Sequence, residues 1–220
     1  MTNDVTFDNL NLNDRVYLYL RDQIINNKLQ PGTKIEYEAI MKELGISRTP
    51  LRDAMNLLQH DKFVEIKPRS GTHVYTPTTK DIEEVYDIRL SLETLAVVRA
   101  CASVSQEECI KLMKETDHAE KELHKGNTEP FFLSDRNLHR TIIRHSNNSR
   151  LIDIMDSLEA QIKWFGIIMT INSERPSKAI AIHRKIIQAM MDSDEENAMR
   201  YMKQHIENVR EDILADYQER

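Results

Sequence analysis

Arg48 and Arg52 stand four residues apart in Leu44-Gly45-Ile46-Ser47-Arg48-Thr49-Pro50-Leu51-Arg52-Asp53-Ala54-Met55. The stretch reads as a helix end, a tight turn at Gly45 and a new helix with short, polar and cationic opening residues. On a helix this spacing puts both guanidinium groups on one face. A planar guanidinium spans O6 and N7 of guanine, the commonest specific contact in the major groove. Ser47 and Thr49 sit where free backbone N–H groups at a helix start favour anions, so their hydroxyls suit phosphates. Phe63-Val64-Glu65-Ile66-Lys67-Pro68-Arg69-Ser70-Gly71-Thr72-His73-Val74 then reads as two short strands joined by a basic turn. Lys67 and Arg69 give that turn its charge, and Gly71 lets the backbone approach a sugar-phosphate chain. Together the pieces describe a helix-turn-helix with a wing, a shape that enters a major groove and touches the phosphates beside it.

A second chemistry is spread through the later sequence. Asp135 and His139 are one helical turn apart and share a face. His183 and His205 fall mid-helix in two further predicted segments and could converge with them on a helical interior. Three imidazoles and a carboxylate suit Zn²⁺; with coordination positions left open they also suit Ni²⁺ or Mn²⁺. An open position would accept the carboxylate of a ligand. His118, His124 and His145 fall on faces or ends that read as solvated. Arg89 shares a face with Val85, Leu92 and Ala96 at helical spacings, and a buried guanidinium needs an anion. That anion is either Glu93 at i+4 or a ligand carboxylate.

These residues need helices to position them. The first is expected from Asn13 or Asp14 to about Asn27, with Asn13 as N-cap and Val16, Leu20, Ile24 and Ile25 as its apolar stripe. Leu29-Gln30-Pro31-Gly32 stops it. A second helix fits Tyr37–Leu44 with Ile40, Met41 and Leu44 inward, ended by a left-handed Gly45. Ser47 is the expected cap of the third, where Pro50 is tolerated in the first turn and Leu51, Met55 and Leu58 face the core. Thr76-Pro77-Thr78-Thr79 reads as a linker. It places a DNA-binding domain over 1–76 and an effector-binding and dimerisation domain over 77–220. Beyond it, helices are expected near 80–102, 105–125, 129–146, 149–171, 177–192 and 195–217, an antiparallel bundle with a central cavity. Met155, Leu158, Ile162, Met169, Trp164 and Phe165 make one of them strongly apolar, as core or as a surface for a partner copy.

Composition narrows the class. The chain has 220 residues, 30% charged, with only five glycines, which fits a mainly α protein. No apolar run is long enough to span a membrane, and the opening segment with Asp4 and Asp8 does not read as a signal peptide. Cys101 and Cys109 do not form a disulfide framework, so a cytoplasmic location is inferred. The net charge of −6 hides an asymmetry: residues 13–75 carry ten Lys/Arg against eight acids. The excess cation therefore lies in the half with the wing.

Residues 13–75 resemble the winged helix of the GntR transcription regulators. The shared pattern is Pro31-Gly32, Ser47-Arg48-Thr49-Pro50-Leu51-Arg52-Asp53-Ala54 and the late wing glycine, Gly71. Residues 80–214 resemble the all-helical effector domain of the FadR/FCD branch, through Asp87-Ile88-Arg89 with Glu93, Asp135-x-x-x-His139, His183 and His205. The segment 81–94 is also similar to the gluconate operon repressors of that family. Two departures stand out. Tyr37-Glu38-Ala39 lies where some members carry a base-reading Arg, which shifts readout toward Arg48 and Arg52. Ile182 precedes His183 where many members have Glu.

The resemblance implies a sequence-specific regulator, a repressor in this reading, that binds a palindromic operator as a homodimer. A small organic acid or sugar acid in the helical domain would control it. The competing expectation is a metal-dependent hydrolase fused to a DNA-binding module, with the four ligands around an activated water. The sequence offers that alternative no separate general base.

Overall fold

The computed structural model describes residues 11–168 and 175–218. They fall into two compact units that divide between Thr78 and Thr79. The fold is mainly α: a winged helix-turn-helix, then an all-helical bundle.

The first unit contains α1 (Leu12–Ile25), α2 (Tyr37–Leu44), α3 (Arg48–His60) and the antiparallel strands β1 (Val64–Lys67) and β2 (Gly71–Val74). Helix α1 starts earlier than expected. Asn11, not Asn13, is its N-cap and accepts a hydrogen bond from the Asp14 backbone N–H. Asn13 instead donates to Asp53 Oδ2 at 3.3 Å, a contact forty residues away that sequence spacing cannot reveal. Helices α1 and α3 pack together, burying Val16, Leu20 and Ile24 on one and Leu51, Met55 and Leu58 on the other. Of the three inward residues expected on α2, only Ile40 is buried; Met41 and Leu44 are half-buried, because so short a helix lies against α3 along little of its surface. Gly45 ends α2 with φ +63°, the left-handed conformation that glycine adopts without a Cβ penalty.

The wing pairs Val64 with Val74 and Lys67 with Gly71. The segment before α2 adds an edge to it: Ile35 N–H donates to Thr72 O and Val74 N–H to Thr33 O, both at 2.8 Å. The Tyr37 and Thr72 hydroxyls lie 3.0 Å apart, so the wing is tied to the start of α2.

The second unit contains α4 (Thr79–Cys101), α5 (Gln106–Leu123), α6 (Glu129–His145), α7 (Ser149–Ile168), α8 (Arg175–Met191) and α9 (Glu195–Gln218). The expected continuation of α7 to residue 171, with Met169, lies outside the described residues. A capping box opens α5: Ser105 accepts from the Glu108 N–H while the Glu108 carboxylate accepts from Ser105. Helix α4 packs chiefly on α9, and also on α6, α7 and α8, while α8 packs on α9 and α5. Met155, Trp164 and Phe165 are core residues, whereas Leu158 and Ile162 are half-buried. Cys101 and Cys109 are buried free thiols. His145 is not solvated as expected: its Nε2 is 3.1 Å from Glu108 Oε1 and its Nδ1 3.3 Å from Ser103 Oγ. No described helix is long and apolar enough to cross a membrane.

The α1–α3 core should be the dominant support of the first unit. Leu51→Ala deletes a fully buried side chain and should cost about 2–5 kcal/mol. Leu57→Ala, at a position 43% exposed, should stay within about 0.5 kcal/mol. Chemical denaturation followed by circular dichroism should rank the two in that order. Equal effects would contradict this packing.

Candidate functional site

On α3, Ser47 occupies the N-cap position but makes no side-chain cap bond, so its hydroxyl is not used by its own helix. Arg48, Thr49 and Arg52 are exposed on the same opening turns. Arg52 Nε stands 3.8 Å from Asp53 Oδ1, a loose pair between exposed groups that is worth little in water. Glu43, the other acid near enough in sequence to compete, instead accepts from the Tyr19 hydroxyl at 2.6 Å. On β1, Lys67 Nζ is 2.8 Å from Glu65 Oε1 two residues before it. Arg69 sits exposed at the tip with φ +63°, and Gly71 opens β2 at φ +103°, where a side chain would be strained. The structure thus gathers Ser47, Arg48, Thr49 and Arg52 at one helix start, and Lys67, Arg69 and Gly71 on one hairpin.

In the second unit the four separated residues meet. Helix α6 brings Asp135 and His139, α8 brings His183 and α9 brings His205; their ligating atoms all lie within 4.8 Å of one another. His139 Nε2 is 3.0 Å from His205 Nε2, and Asp135 Oδ1 is 3.3 Å from His183 Nε2. The three imidazoles are buried. Two atoms that each sit about 2.1 Å from one ion can be at most about 4.2 Å apart. The observed spread is only slightly wider, so little closing is needed to fit one ion. His183 Nδ1 is buried without a hydrogen-bond partner among the described residues, and its buried Nε2 has the Asp135 carboxylate 3.3 Å away. Buried polar atoms without partners are costly. A cation between His183 Nε2 and Asp135 would hold both, and the donor set matches it.

Two further residues complete the centre, and sequence spacing placed them only in part. Glu93 on α4 accepts from Arg89 Nε at 2.5 Å and also contacts His139 Nδ1. Of the two anions open to Arg89, the structure therefore contains the internal one. Glu93 turns His139 so that Nε2 faces the cluster, the role a carboxylate plays behind a metal-bound imidazole. The i+4 spacing of Arg89 and Glu93 was visible in the sequence. The contact from Glu93 to His139 was not. The Arg89 guanidinium also lies over the Tyr86 ring, 5.5 Å from its centroid.

The protonation states follow from this environment. Burial alone would raise Glu93, but the adjacent Arg89 charge and His139 outweigh it and bring it down to about 2. Burial likewise opposes ionisation of Asp135, yet His183 and His139 hold it well below the ordinary carboxylate range. Burial lowers His183, and Asp135 only partly offsets that; burial and the neighbouring His183 and His139 push His205 lower still. Neutral imidazoles facing an ionised carboxylate are the states a divalent ion requires.

Comparison with known proteins bears on both units. Residues 84–208 match the FCD domain and residues 12–74 match the bacterial regulatory proteins of the gntR family. The chain belongs to the GntR family. Among relatives, it is 29% identical over 191 residues to the uncharacterized HTH-type transcriptional regulator YdhC of Bacillus subtilis, covering 86% of this chain and 85% of that protein. It is 26% identical over 201 residues to the gluconate operon transcriptional repressor of Bacillus licheniformis, covering 89% and 82%. In fold it resembles a putative GntR regulator from Rhodococcus sp. RHA1, with TM-score 0.76, 23% identity and coverage of 92% and 97%. The metal-free FCD domain of TM0439 matches at TM-score 0.58 and 23% identity, covering 66% of this chain and 99% of that one. This GntR-family chain is accordingly a DNA-binding transcription regulator and not an enzyme, which sets aside the hydrolase reading of the same ligands.

The buried centre makes stability depend on pH in a fixed direction. Glu93, Asp135, His183 and His205 are all lowered and so hold fewer protons folded than unfolded, and stability falls as pH falls. In metal-free protein the loss should begin as pH drops through the ordinary histidine range near 6.5, from His183 and His205. It should deepen between 4.5 and about 2 as Glu93 is protonated. Melting temperatures measured across this range check it. A second unit equally stable at neutrality and at about pH 4 would contradict the assigned states.

Proposed function

We propose that this GntR-family regulator is a dimeric repressor whose operator affinity is set by a small organic acid or sugar acid bound at a divalent metal. The observation that carries this reading is the Asp135–His139–His183–His205 cluster, whose three imidazoles are buried, in a chain that also displays Arg48 and Arg52 on an exposed helix start. Residues 1–76 form the DNA-binding part and residues 77–220 the effector-binding and dimerising part. Zinc is the first choice for the ion, with nickel or manganese also compatible with this donor set. The ion supplies a Lewis-acidic anchor for a carboxylate. Arg89 serves as the nearby cation on the effector side: Glu93 engages its Nε, and a guanidinium carries four more N–H donors. The gluconate operon repressor among the relatives agrees with both the repressor role and the acidic ligand class.

One winged helix reads too few base pairs for useful specificity, so a palindromic operator and a two-fold dimer are the natural arrangement. The ligand shifts operator affinity only as far as it binds the DNA-competent and DNA-incompetent arrangements differently.

Two experiments test the reading. Arg48→Ala and Arg52→Ala should each cost about 1–3 kcal/mol of specific binding and relax preference at one base step per half-site. Lys67→Ala should weaken all sequences alike and flatten the salt dependence. Gel-shift titrations at several salt concentrations separate the two behaviours, and unchanged operator affinity in both arginine variants would sink the assignment. Metal removal should lower the melting temperature and abolish the acid's influence on operator binding, and His183→Ala should reproduce both effects. Elemental analysis of protein purified without added metal or chelator, followed by calorimetry with candidate acids, decides this. Metal-free protein that still binds its acid and releases DNA would show the mechanism to be wrong.

A further inference from the structure

The segment before α2 gives the wing a third edge, and that edge carries a further cation. Lys34 lies opposite His73 in an antiparallel bridge, and His73 lies opposite Glu65. Residues directly opposite one another share a face of a sheet, as do residues two apart on one strand. Lys34, Glu65, Lys67, Gly71 and His73 therefore lie on one face. Burial agrees: Ile35, Val64, Thr72 and Val74, at the alternate positions, are buried, while the other five are exposed or half-buried.

The stem of Lys34 is held in place. A Cβ placed on Gly71 would stand 3.4 Å from Lys34 Cε, so the methylene chain lies against the bare backbone of β2. Lys67 is the partner of Gly71 on the other side, along β1. Neighbouring strands are about 4.8 Å apart, so the strands bearing Lys34 and Lys67 stand roughly 10 Å from each other. Between them is a strand position without a side chain.

We propose that Lys34 is a third cation of the wing and contacts a DNA phosphate, so that one sugar-phosphate chain lies over Gly71 between Lys34 and Lys67. The inference rests on the reading of Lys67 and Gly71 as backbone contacts and adds a residue from outside the hairpin. Each ammonium has an acid two residues away: Lys34 Nζ is 3.0 Å from Glu36 Oε1, as Lys67 Nζ is 2.8 Å from Glu65 Oε1. The Lys34 pair holds its cation back only weakly. Its side chains are 53% and 64% exposed, and such pairs contribute little in water. A phosphate offers more, because each one neutralised on a duplex releases condensed counterions. Packing on Gly71 favours the same exchange, since a stem already laid on backbone has less rotamer freedom left to lose. Glu36 is then a competitor that DNA must displace.

The test is binding of the full-length protein to a mixed-sequence DNA duplex, and to an operator that the wild type selects from a random pool, over a range of salt concentrations. Lys34→Gln should weaken both DNAs by a similar factor and reduce the slope of log K against log salt by about 0.9, the value of one phosphate. Glu36→Gln should tighten both about two- to fivefold by removing the competitor. Lys28→Gln, an equal loss of charge at an exposed position after α1, gauges the general field of the protein and should leave the slope nearly unchanged. A slope in Lys34→Gln no lower than in Lys28→Gln, or a loss confined to the operator, would overturn the inference. So would a Glu36→Gln variant that binds no tighter than wild type, and this arm decides the matter if the Lys34 variant does not fold. Lys67→Ala separates the two readings: if it alone flattens the salt dependence, the hairpin keeps its role without Lys34, and if neither lysine moves the slope, both assignments fall.

Discussion

Glu93 holds the second unit's polar interior in order. Its carboxylate is fully buried, and alone it would be intolerable there. Two partners make it possible: Arg89 on the same helix and His139 on α6. Each solves the other's problem, because Arg89 is buried as well and needs an anion. The third participant gains orientation. With Nδ1 fixed by Glu93, the remaining nitrogen of His139 points at His205 and the cluster. Removing one member of such a set strands the others, which is why broken buried pairs cost about 3–5 kcal/mol although intact ones contribute little. The arrangement therefore specifies a geometry more than it stabilises a fold.

Much of this was legible in the sequence, and the boundary of legibility has a physical cause. Periodicity and punctuation located the helices to within a few residues, because Pro31, Gly45, Ser105 and Gly126 act locally. The pair Asp135 and His139 shares a face by the arithmetic of one helical turn. The convergence of His183 and His205 on them depended on family resemblance, since spacing says nothing about distances between helices. Where the reading missed, a long-range contact had overridden a local preference. Asn13 gave up the cap of α1 for Asp53, and His145 is half-buried against Glu108 and Ser103. Glu93 was visible as a partner for Arg89 but not as the residue that aims His139. Local rules cannot see a second partner contributed from forty-six positions away.

The two units use charge in opposite ways. On α3 and the wing the cations are exposed and loosely paired, so they can exchange water and neighbouring acids for phosphates and base edges at small cost. In the bundle several cations are instead matched within buried or half-buried networks: Arg89 with Glu93, Arg175 with Asp212 and Asp216, Arg184 with Asp117 and Glu120. An exposed site tolerates many sequences and sorts them by geometry. A compensated interior admits only a ligand that preserves its balance. Exposed cations and compensated buried ones are thus two different electrostatic settings, held in separate parts of one chain.

The cluster itself has two candidate occupants, a metal ion and a proton, and they exclude each other. His139 Nε2 and His205 Nε2 are 3.0 Å apart, close enough that without a cation one of them must carry a hydrogen between them. A divalent ion would replace that hydrogen and would also have Asp135 and His183 within reach. The proton joins two residues, on α6 and α9; an ion would be held by four, from α6, α8 and α9. Since binding energy realised only in the folded arrangement adds to its stability, an ion would tie three helices where the proton ties two.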